Sequence, residues 1–452
     1  MFLVVLKSIR PVCLITLVFA VSKVLCLRTC LIEDVVDGGT TTAIEDWCLD
    51  ALKRHLDTGS ELSGELSDLT VVVPSWRRQD YLLRQIRYWS ASSASLIIVD
   101  GSRLPLPDRI RSAVEAHPRI TYRHDLLSQA DRLRLAGGLI ESPYAVMLGD
   151  DEFHLPAGLS ASIRVLEDDQ KLVGCMGQVL SFSPVGPYRR SVFARCYLSM
   201  HGHSIRHSDP ADRLIAAMSD YTMATCYAVL RTPVWRRSWG SLGEYESGHA
   251  AELQHTMAVY LLGPFTTTGH VQWLRSIENP NAPLSPAEEK GGKIWFPEWW
   301  EDQRYEAERV AFVSRLAELV ADELGADRDE CASWVMAGAE VFVDENRSDY
   351  EFEEPVQGLL TRLVPAAVEM LRTVVRCFPD PLFLGAKRWR GRVLRFLRRS
   401  GGDYYGAVED LPGIFRTEGL VLAPGVVDEI ASVEVMVREF HALRDQEAPS
   451  RK

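Results

Sequence analysis

The chain has 452 residues, of which 46% are hydrophobic and 25% charged, and its formal net charge at pH 7 is −12. This length exceeds one typical domain, and the ordinary composition indicates a folded globular protein with additions to a core. The negative charge gives no general attraction for nucleic acid, which we therefore exclude as a partner.

Residues 1–27 differ in character from the rest of the chain. Lys7 and Arg10 precede an apolar stretch over residues 11–22, which is shorter than the roughly 20 apolar residues of an ordinary transmembrane helix. Three interpretations stay open: a signal-peptide core, a marginal signal anchor, and a start codon assigned too early. Residues 28–66 are expected to form a helical lead-in.

The nine cysteines are scattered and form no Cys-x-x-Cys pair, which indicates neither a disulfide framework nor a zinc cluster. Their distribution fits a reducing compartment slightly better than an oxidising one. We favour a cytoplasmic or membrane-associated protein, and a signal-anchored or secretory-pathway location stays open as the alternative.

Strands and helices alternate from residue 67 onward. The runs 68–74, 95–99 and 144–148, with a weaker run at 119–122, predict strands because they are apolar and rich in β-branched residues. Helical spacing of apolar residues predicts helices over 81–89 and 128–141. This alternation predicts an α/β fold with a mostly parallel sheet that is covered on both faces.

Polar turns follow three of these strands, at residues 74–78, 100–102 and 149–152. Ligands of such sheets bind at the carboxyl ends of the strands, so we expect the three turns to meet at one edge. Asp150 and Glu152 bracket one residue and can point at one divalent cation, because Mg²⁺ and Mn²⁺ accept one or two carboxylates together with water and phosphate. The alternative is an acidic cap on the helix that follows.

The three turns together resemble those of family-2-type glycosyltransferases with the GT-A fold. Residues 71–82 resemble the family's V-I-P-T-x-N-R-x-x-x-L start, residues 97–102 its V-V-D-x-S strand end, and residues 149–152 its D-x-D metal motif. The chain departs from these patterns at three positions. Trp76 replaces a small or polar residue, Arg77 stands where Asn is frequent, and Glu152 replaces Asp. Weaker similarities, at 209–214, 226–231, 251–253 and 274–276, are to a bacterial group known only as a glycosyltransferase domain.

The resemblance covers roughly residues 67 to 280 and implies a GT-A domain over 67–283. It further implies a nucleotide-diphosphate sugar as donor and a divalent cation, Mn²⁺ or Mg²⁺, as cofactor at Asp150 and Glu152. The cation would stabilise the charge of the leaving diphosphate. The donor-binding residues that it indicates are Pro74, Ser75, Arg78, Asp100, Arg132 and Asp150. Asp100 could instead be a turn residue, and Arg78, Arg132 and Arg134 could be solvated surface residues.

An inverting transfer needs one base that deprotonates the acceptor hydroxyl. The candidates are Glu244, Glu246 and Glu252, and we favour Glu252 because residues 251–253 begin a predicted helix and resemble the family's E-L pair. A carboxylate at a helix start could instead complement the helix dipole. His270 is a candidate for the metal shell, as a late histidine is in some relatives, with a structural role as the alternative.

The chain from residue 284 to 452 is expected to be helical. Helices are predicted over 305–324, 331–342 and 356–377, with an acidic loop over 344–354 between the last two. Within 387–399, arginines line one helical face and apolar residues another, which is typical of a helix on an anionic membrane. A basic helix packed against an acidic protein is the alternative.

The sequence therefore predicts a metal-dependent, inverting glycosyltransferase whose acceptor is a glycan, a lipid-linked molecule or a protein. A sugar-nucleotidyltransferase is a weaker alternative, because residues 74–78 contain neither the glycines nor the lysine usual in that class. A non-catalytic protein that kept the fold and binds a nucleotide sugar is the alternative from a different class.

Overall fold

The computed structural model describes residues 40–58, 66–185, 190–222, 225–279, 288, 291–351 and 406–447. The segment 1–27, the helix predicted over 356–377 and the basic face over 387–399 lie outside these residues. Among the described helices, none combines the length and the apolar character that a membrane span requires.

One mixed sheet forms the centre of the molecule. Its strands are β1 (Leu69–Ser75), β2 (Ser95–Asp100), β3 (Ile120–His124), β4 (Tyr144–Met147), β5 (Phe153–His154), β6 (Gly174–Val185), β7 (Arg190–Cys196), β8 (Ser204–Ile205), β9 (Val229–Arg231) and β10 (Phe265–Ser276). Their order is β3-β2-β1-β4-β9-β6-β10-β5, with β7 paired to β6 and β8 to β10. In the described residues most paired positions lie in parallel ladders, which confirms the predicted α/β fold with a mostly parallel sheet.

The register of the first strands brings their carboxyl ends together. Strand β1 lies between β2 and β4, and Ser75, its last residue, pairs with Asp100, the last residue of β2. The β-branched side chains of Val71, Val72 and Val73 are fully buried. A strand that is covered on both faces favours such residues, because they pack closely on a pleated surface.

Helices cover both faces of the sheet and continue beyond it. They are α1 (Thr42–Thr58), α2 (Gln79–Trp89), α3 (Asp108–Glu115), α4 (Gln129–Leu139), α5 (Pro156–Asp168), α6 (Pro210–Ser219), α7 (Thr232–Gly240), α8 (Gly248–Leu262), α9 (Phe296–Glu301), α10 (Glu306–Leu324), α11 (Arg328–Glu351), α12 (Leu411–Thr417) and α13 (Val426–Glu447). Side-chain caps begin several of them: the Ser128 hydroxyl accepts from Asp131 N–H, and the Ser247 hydroxyl accepts from Ala250 N–H.

The acidic loop predicted over residues 344–354 is wrong for residues 344–351, the part that the structure describes, since α11 continues to Glu351. Glutamate is a good helix former, and the sequence offers no proline before Pro355 that would end the helix. The helix also begins three residues earlier than predicted, at Arg328, because the Asp327 carboxylate accepts hydrogen bonds from the N–H groups of Asp329 and Glu330.

The described C-terminal residues pack against the sheet domain. Gly406 and Phe193 exchange two backbone hydrogen bonds, of 2.7 and 3.0 Å, which extends the β7 edge of the sheet. Helix α13 contacts α1, where the Trp47 indole N–H donates to the Glu439 carboxylate at 3.0 Å. The domain boundaries proposed from the sequence stay a prediction, but residues 406–447 share one hydrophobic core with the sheet.

Candidate functional site

The three polar turns meet at the carboxyl edge of the sheet, as the alternation of elements predicts. The Ser75 hydroxyl, at the end of β1, donates to Asp150 Oδ2 at 3.0 Å. The N–H of Gly101, after β2, donates to the Ser75 carbonyl at 2.9 Å. The Arg132 guanidinium from α4 donates to the same carbonyl. A serine at the end of β1 therefore links the other two turns directly.

Helix α2 fixes the backbone of the acidic turn over residues 149–152. The Gln85 amide donates to the carbonyls of Asp150 and Glu152, at 3.0 and 2.6 Å. The Arg84 guanidinium donates to the carbonyl between them, that of Asp151, at 2.8 Å. Three consecutive carbonyls thus have partners on one helix, and this leaves the side chains of the turn to make other contacts.

Asp150 and Asp151 converge on one positive charge. Nitrogen Nη1 of Arg78 lies 3.3 Å from Asp150 Oδ1 and 3.2 Å from Asp151 Oδ2. Asn279 donates a further hydrogen bond to Asp151 Oδ2 at 2.7 Å. Burial raises the pKa of Asp150 to about 6, although the charge of Arg78 acts in the opposite direction.

Glu152 is bound in a different way from these two carboxylates. Its side chain folds back over Gly149, where an added Cβ would lie only 2.8 Å from Glu152 Oε2. The Trp273 indole N–H donates to that same oxygen at 3.2 Å. Burial, followed by the charge of Asp151, raises the pKa of Glu152 to about 8, against smaller lowering effects of Arg275, Tyr227 and Trp273. The sequence predicts Asp150 and Glu152 as the metal pair, and that pairing stays a prediction.

The donor set of the acidic turn fits a hard divalent cation. Two carboxylate oxygens, one from Asp150 and one from Asp151, already share a single guanidinium nitrogen, so the same oxygens could share a metal ion. Among the residues that the structure describes, no group of three or more His, Cys, Asp or Glu side chains is arranged to hold a metal. Water and substrate phosphate would have to complete the ligand shell.

The other predicted donor-binding residues lie around this turn. Asp100 is fully buried, and its carboxylate accepts hydrogen bonds from Gln79, Tyr122 and the Ser102 N–H, at 2.9 to 3.0 Å. These contacts support the shape of the strand end, and a donor contact of Asp100 stays a prediction. Arg132 is buried between the charges of Asp100 and Asp150, and burial lowers its pKa despite both carboxylates.

Pro74 pairs with Val99 inside the ladder of β1 and β2, next to Ser75. Arg77 adopts a left-handed conformation (φ 61°), and its N–H donates to Ser102 Oγ at 2.9 Å. Asparagine tolerates this conformation better than other non-glycine residues, which gives a physical reason for the Asn that is frequent at this position of the family pattern. Arg77 therefore adopts a backbone conformation that suits asparagine better than arginine, with some backbone strain.

A group of stacked aromatic rings lies near both Glu152 and Glu252. Tyr227 stacks on Trp273 with ring centroids 3.9 Å apart, and Tyr197 stacks on it at 5.7 Å. The charges of both Glu152 and Glu252 add to the effect of burial that raises the pKa of Tyr227 well above its usual value. These rings therefore lie within electrostatic range of both acids.

Glu252 is the fifth residue of α8, because the helix begins at Gly248 rather than at residue 251. The helix dipole acts within the first turn, so the alternative role in dipole complementation has little geometric support. Tyr221 donates to Glu252 Oε1 at 3.2 Å, and burial raises the pKa of Glu252 against opposing effects of Lys293, Tyr221 and Arg275.

The contacts described for the remaining candidates are with other parts of the protein, and the roles of Glu244, Glu246 and His270 as base or metal ligand stay predictions. Glu244 and Glu246 are exposed, and the Glu246 N–H donates to the Glu308 carboxylate at 3.0 Å. His270 is partly buried, and it forms a parallel bridge with Val421. Arg134 forms an ion pair with Asp131 and donates to the carbonyl of Leu242 at 2.6 Å. Both contacts are with other residues of the protein outside the acidic turn.

Several residues of the site were not singled out from the sequence. Asp151 lies between the two predicted metal ligands in the sequence, and the structure adds it to the site because its carboxylate contacts Arg78 and Asn279. Arg275 lies over the Tyr197 ring at 5.4 Å, and the stretch 274–276 was the signal that could have identified it. Asn279 carries no local signal, because its contact with Asp151 spans 128 positions.

No protein-family model matches the sequence, and no curated protein matches it. Solved structures with a related arrangement of elements include residues 1–349 of TarS from S. aureus, at 11% identity, with 62% of this chain and 91% of that chain covered and a TM-score of 0.37. The same fragment in complex with UDP-GlcNAc is similar at 9% identity, the same coverage and a TM-score of 0.36.

A third solved structure is the mannosyltransferase PcManGT from Pyrobaculum calidifontis in complex with GDP-Man and Mn²⁺. It is similar at 14% identity, with 77% of this chain and 90% of that chain covered and a TM-score of 0.29. Sequence identities and TM-scores this low do not assign a reaction to this chain, because proteins of one fold differ in function.

Proposed function

We propose that this protein is a glycosyltransferase that moves a sugar from a nucleotide-diphosphate donor to a hydroxyl acceptor with inversion, assisted by a divalent cation. The observation that supports this most is the convergence of Asp150 and Asp151 on one cationic nitrogen of Arg78 at the carboxyl edge of the sheet. Ligands of α/β sheets bind at this edge, and paired carboxylates with a neighbouring arginine suit a diphosphate and its counter-ion.

The donor diphosphate would lie over the three turns. Asp150, with Asp151 or with the predicted partner Glu152, would hold Mn²⁺ or Mg²⁺, which as a Lewis acid stabilises negative charge on the leaving diphosphate. Arg78 pairs with both aspartates in the structure, and its guanidinium would supply positive charge to a phosphate oxygen of the donor beside them. Ser75 and Arg132 would keep the turn in place through the hydrogen bonds described above.

The transfer step itself needs a base on the acceptor side. Glu252 would take the proton of the acceptor hydroxyl, whose oxygen then bonds to the anomeric carbon. The bond from that carbon to the diphosphate oxygen breaks, and the nucleotide diphosphate leaves with the electron pair. Burial raises the pKa of Glu252, which makes its carboxylate a stronger base than an exposed glutamate.

The test is calorimetric binding of UDP, GDP and dTDP to the full chain, with and without Mn²⁺, for wild type and three variants. Asp150→Asn should lose the cation-dependent part of nucleotide binding. Glu252→Gln should bind the same nucleotide normally but lose turnover of the matching nucleotide sugar. Asp169→Asn is the matched control, because Asp169 pairs with Arg206 on the surface, at 2.6 Å, away from the site.

The outcomes separate the candidate functions. Nucleotide binding that requires the cation and Asp150, with turnover that requires Glu252, supports the proposal. Binding with no turnover of any nucleotide sugar would favour a non-catalytic nucleotide-sugar-binding protein. The absence of binding of all three nucleotides to wild type, in both conditions, would refute the proposal. The acceptor and the membrane contact predicted for residues 387–399 stay predictions.

A further inference from the structure

The acidic turn is held by α2, and α2 is itself held by residues from the far end of the chain. Arg84 of α2, whose guanidinium donates to the Asp151 carbonyl, is fully buried. A buried guanidinium needs a counter-charge, and Glu278 supplies it through two hydrogen bonds, of 3.0 and 2.7 Å. Three aromatic rings surround the guanidinium carbon at 4.7 to 5.0 Å, those of Tyr81, Phe153 and Phe440.

His441 of α13 completes this arrangement. Its Nε2 lies 2.5 Å from Glu278 Oε1, the same oxygen that accepts from Arg84 Nη1. The Glu278 side chain is buried, with 1% exposed, and His441 is one of the protein groups that take the place of solvent around it. A chain of contacts therefore leads from α13 through Glu278 and Arg84 to the carbonyl of Asp151.

A second chain of contacts from the same helix ends at the same residue. Arg444 donates to the Tyr81 hydroxyl at 3.0 Å, and that hydroxyl donates to Asn279 Oδ1 at 3.2 Å. Asn279 donates in turn to the Asp151 carboxylate at 2.7 Å. One chain reaches the backbone of Asp151 and the other its side chain, so α13 restrains both the position and the direction of this carboxylate.

We propose that His441 is a positioning residue for the acidic turn, and that α13 is thereby a working part of the donor site. His441 fixes Glu278, Glu278 fixes the Arg84 guanidinium, and Arg84 fixes the turn that carries Asp150 and Asp151. This inference rests on the proposed function for its effect on donor binding, but its effect on the turn is independent of any ligand. Partners one step removed from metal ligands contribute to affinity because they restrict the ligands' orientation.

The experiment compares His441→Gln with His441→Asn in the full chain. The glutamine amide nitrogen can reach the place of Nε2 and donate to Glu278, whereas the asparagine amide is too short. Both side chains are polar and uncharged, so the pair separates the hydrogen bond from general effects of the substitution. Glu434→Gln is the matched control, since Glu434 is a buried residue of α13 that accepts from the Ser191 N–H at 2.8 Å and has no described link to the turn.

Two readouts are measured. The first is amide hydrogen exchange of residues 149–154 without ligand, which should be faster in His441→Asn and unchanged in His441→Gln and Glu434→Gln. The second is the Kd for UDP, GDP or dTDP with Mn²⁺, whichever wild type binds, which should rise about tenfold in His441→Asn only.

The outcomes distinguish this inference from the proposed function. Unchanged exchange in His441→Asn, or equal increases in His441→Asn and Glu434→Gln, would overturn the positioning role. Faster exchange with an unchanged nucleotide Kd would overturn the link between α13 and the donor site. Wild type that binds no nucleotide would refute the proposed function, and the donor-site part with it, while the exchange data would still decide whether His441 positions the turn.

Discussion

The ion pair between Glu278 and Arg84 gives a prediction with a large expected effect. Substitution Glu278→Gln keeps the shape of the side chain but removes the counter-charge of a guanidinium that is 0% exposed. Removal of one partner of a buried pair typically lowers the free energy of unfolding by about 3–5 kcal/mol, because the remaining charge is left without compensation. We expect a loss in this range at pH 7.

The pH dependence of the same pair has a definite sign. Burial alone would raise the pKa of Glu278, but the charges and hydrogen bonds of Arg84 and His441 outweigh it and lower the pKa below its ordinary value of 4.5. A lowered pKa means that the stabilisation is present above pH 4.5 and is lost as the pH falls below it. The difference in stability between wild type and Glu278→Gln should therefore shrink in acid.

The assay is urea unfolding followed by tryptophan fluorescence, at pH 7 and in steps down to pH 4. The double variant Arg84→Met with Glu278→Met is the control, since apolar side chains of similar size remove both charges and should recover most of the lost stability. Two results would refute the buried charge as the cause of the instability. One is a decrease below about 1 kcal/mol in the free energy of unfolding of Glu278→Gln, and the other is a double variant that is as unstable as the single one.

Two further predictions concern residues outside this network. His255 is buried with no described partner for either ring nitrogen, it stacks on Trp239 at 3.6 Å, and burial lowers its pKa to about 3. Because the buried neutral ring resists protonation, its contribution to the free energy of unfolding is present above its ordinary pKa of 6.5 and lost as the pH falls below it. Between pH 7 and pH 5.5, the free energy of unfolding measured in urea should therefore fall by about 1 kcal/mol less in His255→Phe than in wild type. Equal falls in the two proteins would contradict this. Arg77→Asn should raise the free energy of unfolding by about 0.5–1 kcal/mol by relief of the left-handed conformation, and a lower melting temperature would speak against that account.

The strands and the edge at which they meet could be predicted because the signals are local. The residues of β1 are β-branched and apolar over consecutive positions, and a polar turn follows directly. Such a pattern fixes the element and its end within a few residues of sequence. The limits of helix α11 were less accurate, because an acidic segment reads equally well as a loop or as the exposed side of a helix.

The contribution of α13 could not be predicted, because it depends on contacts between distant positions. His441 and Glu278 are 163 positions apart, and the segment around Glu278 has no periodic pattern that would suggest a buried ion pair. The burial of Arg84 could not be predicted either, since an arginine in a short amphipathic helix is expected at the surface until its carboxylate partner is known.

The acidic turn illustrates why spacing alone did not identify the converging carboxylates. Asp150 and Glu152 are the expected pair because they bracket one residue and resemble the D-x-D motif, whereas alternate residues share a side only while the chain is extended. The chain leaves β4 at Met147 and turns, so the alternation no longer applies at Asp151. Hydrogen bonds from α2 to three consecutive carbonyls then set the directions of the side chains. The geometry of this site is therefore a property of the turn together with the helix that holds it, which is why a substitution as distant as His441→Asn is expected to act on it.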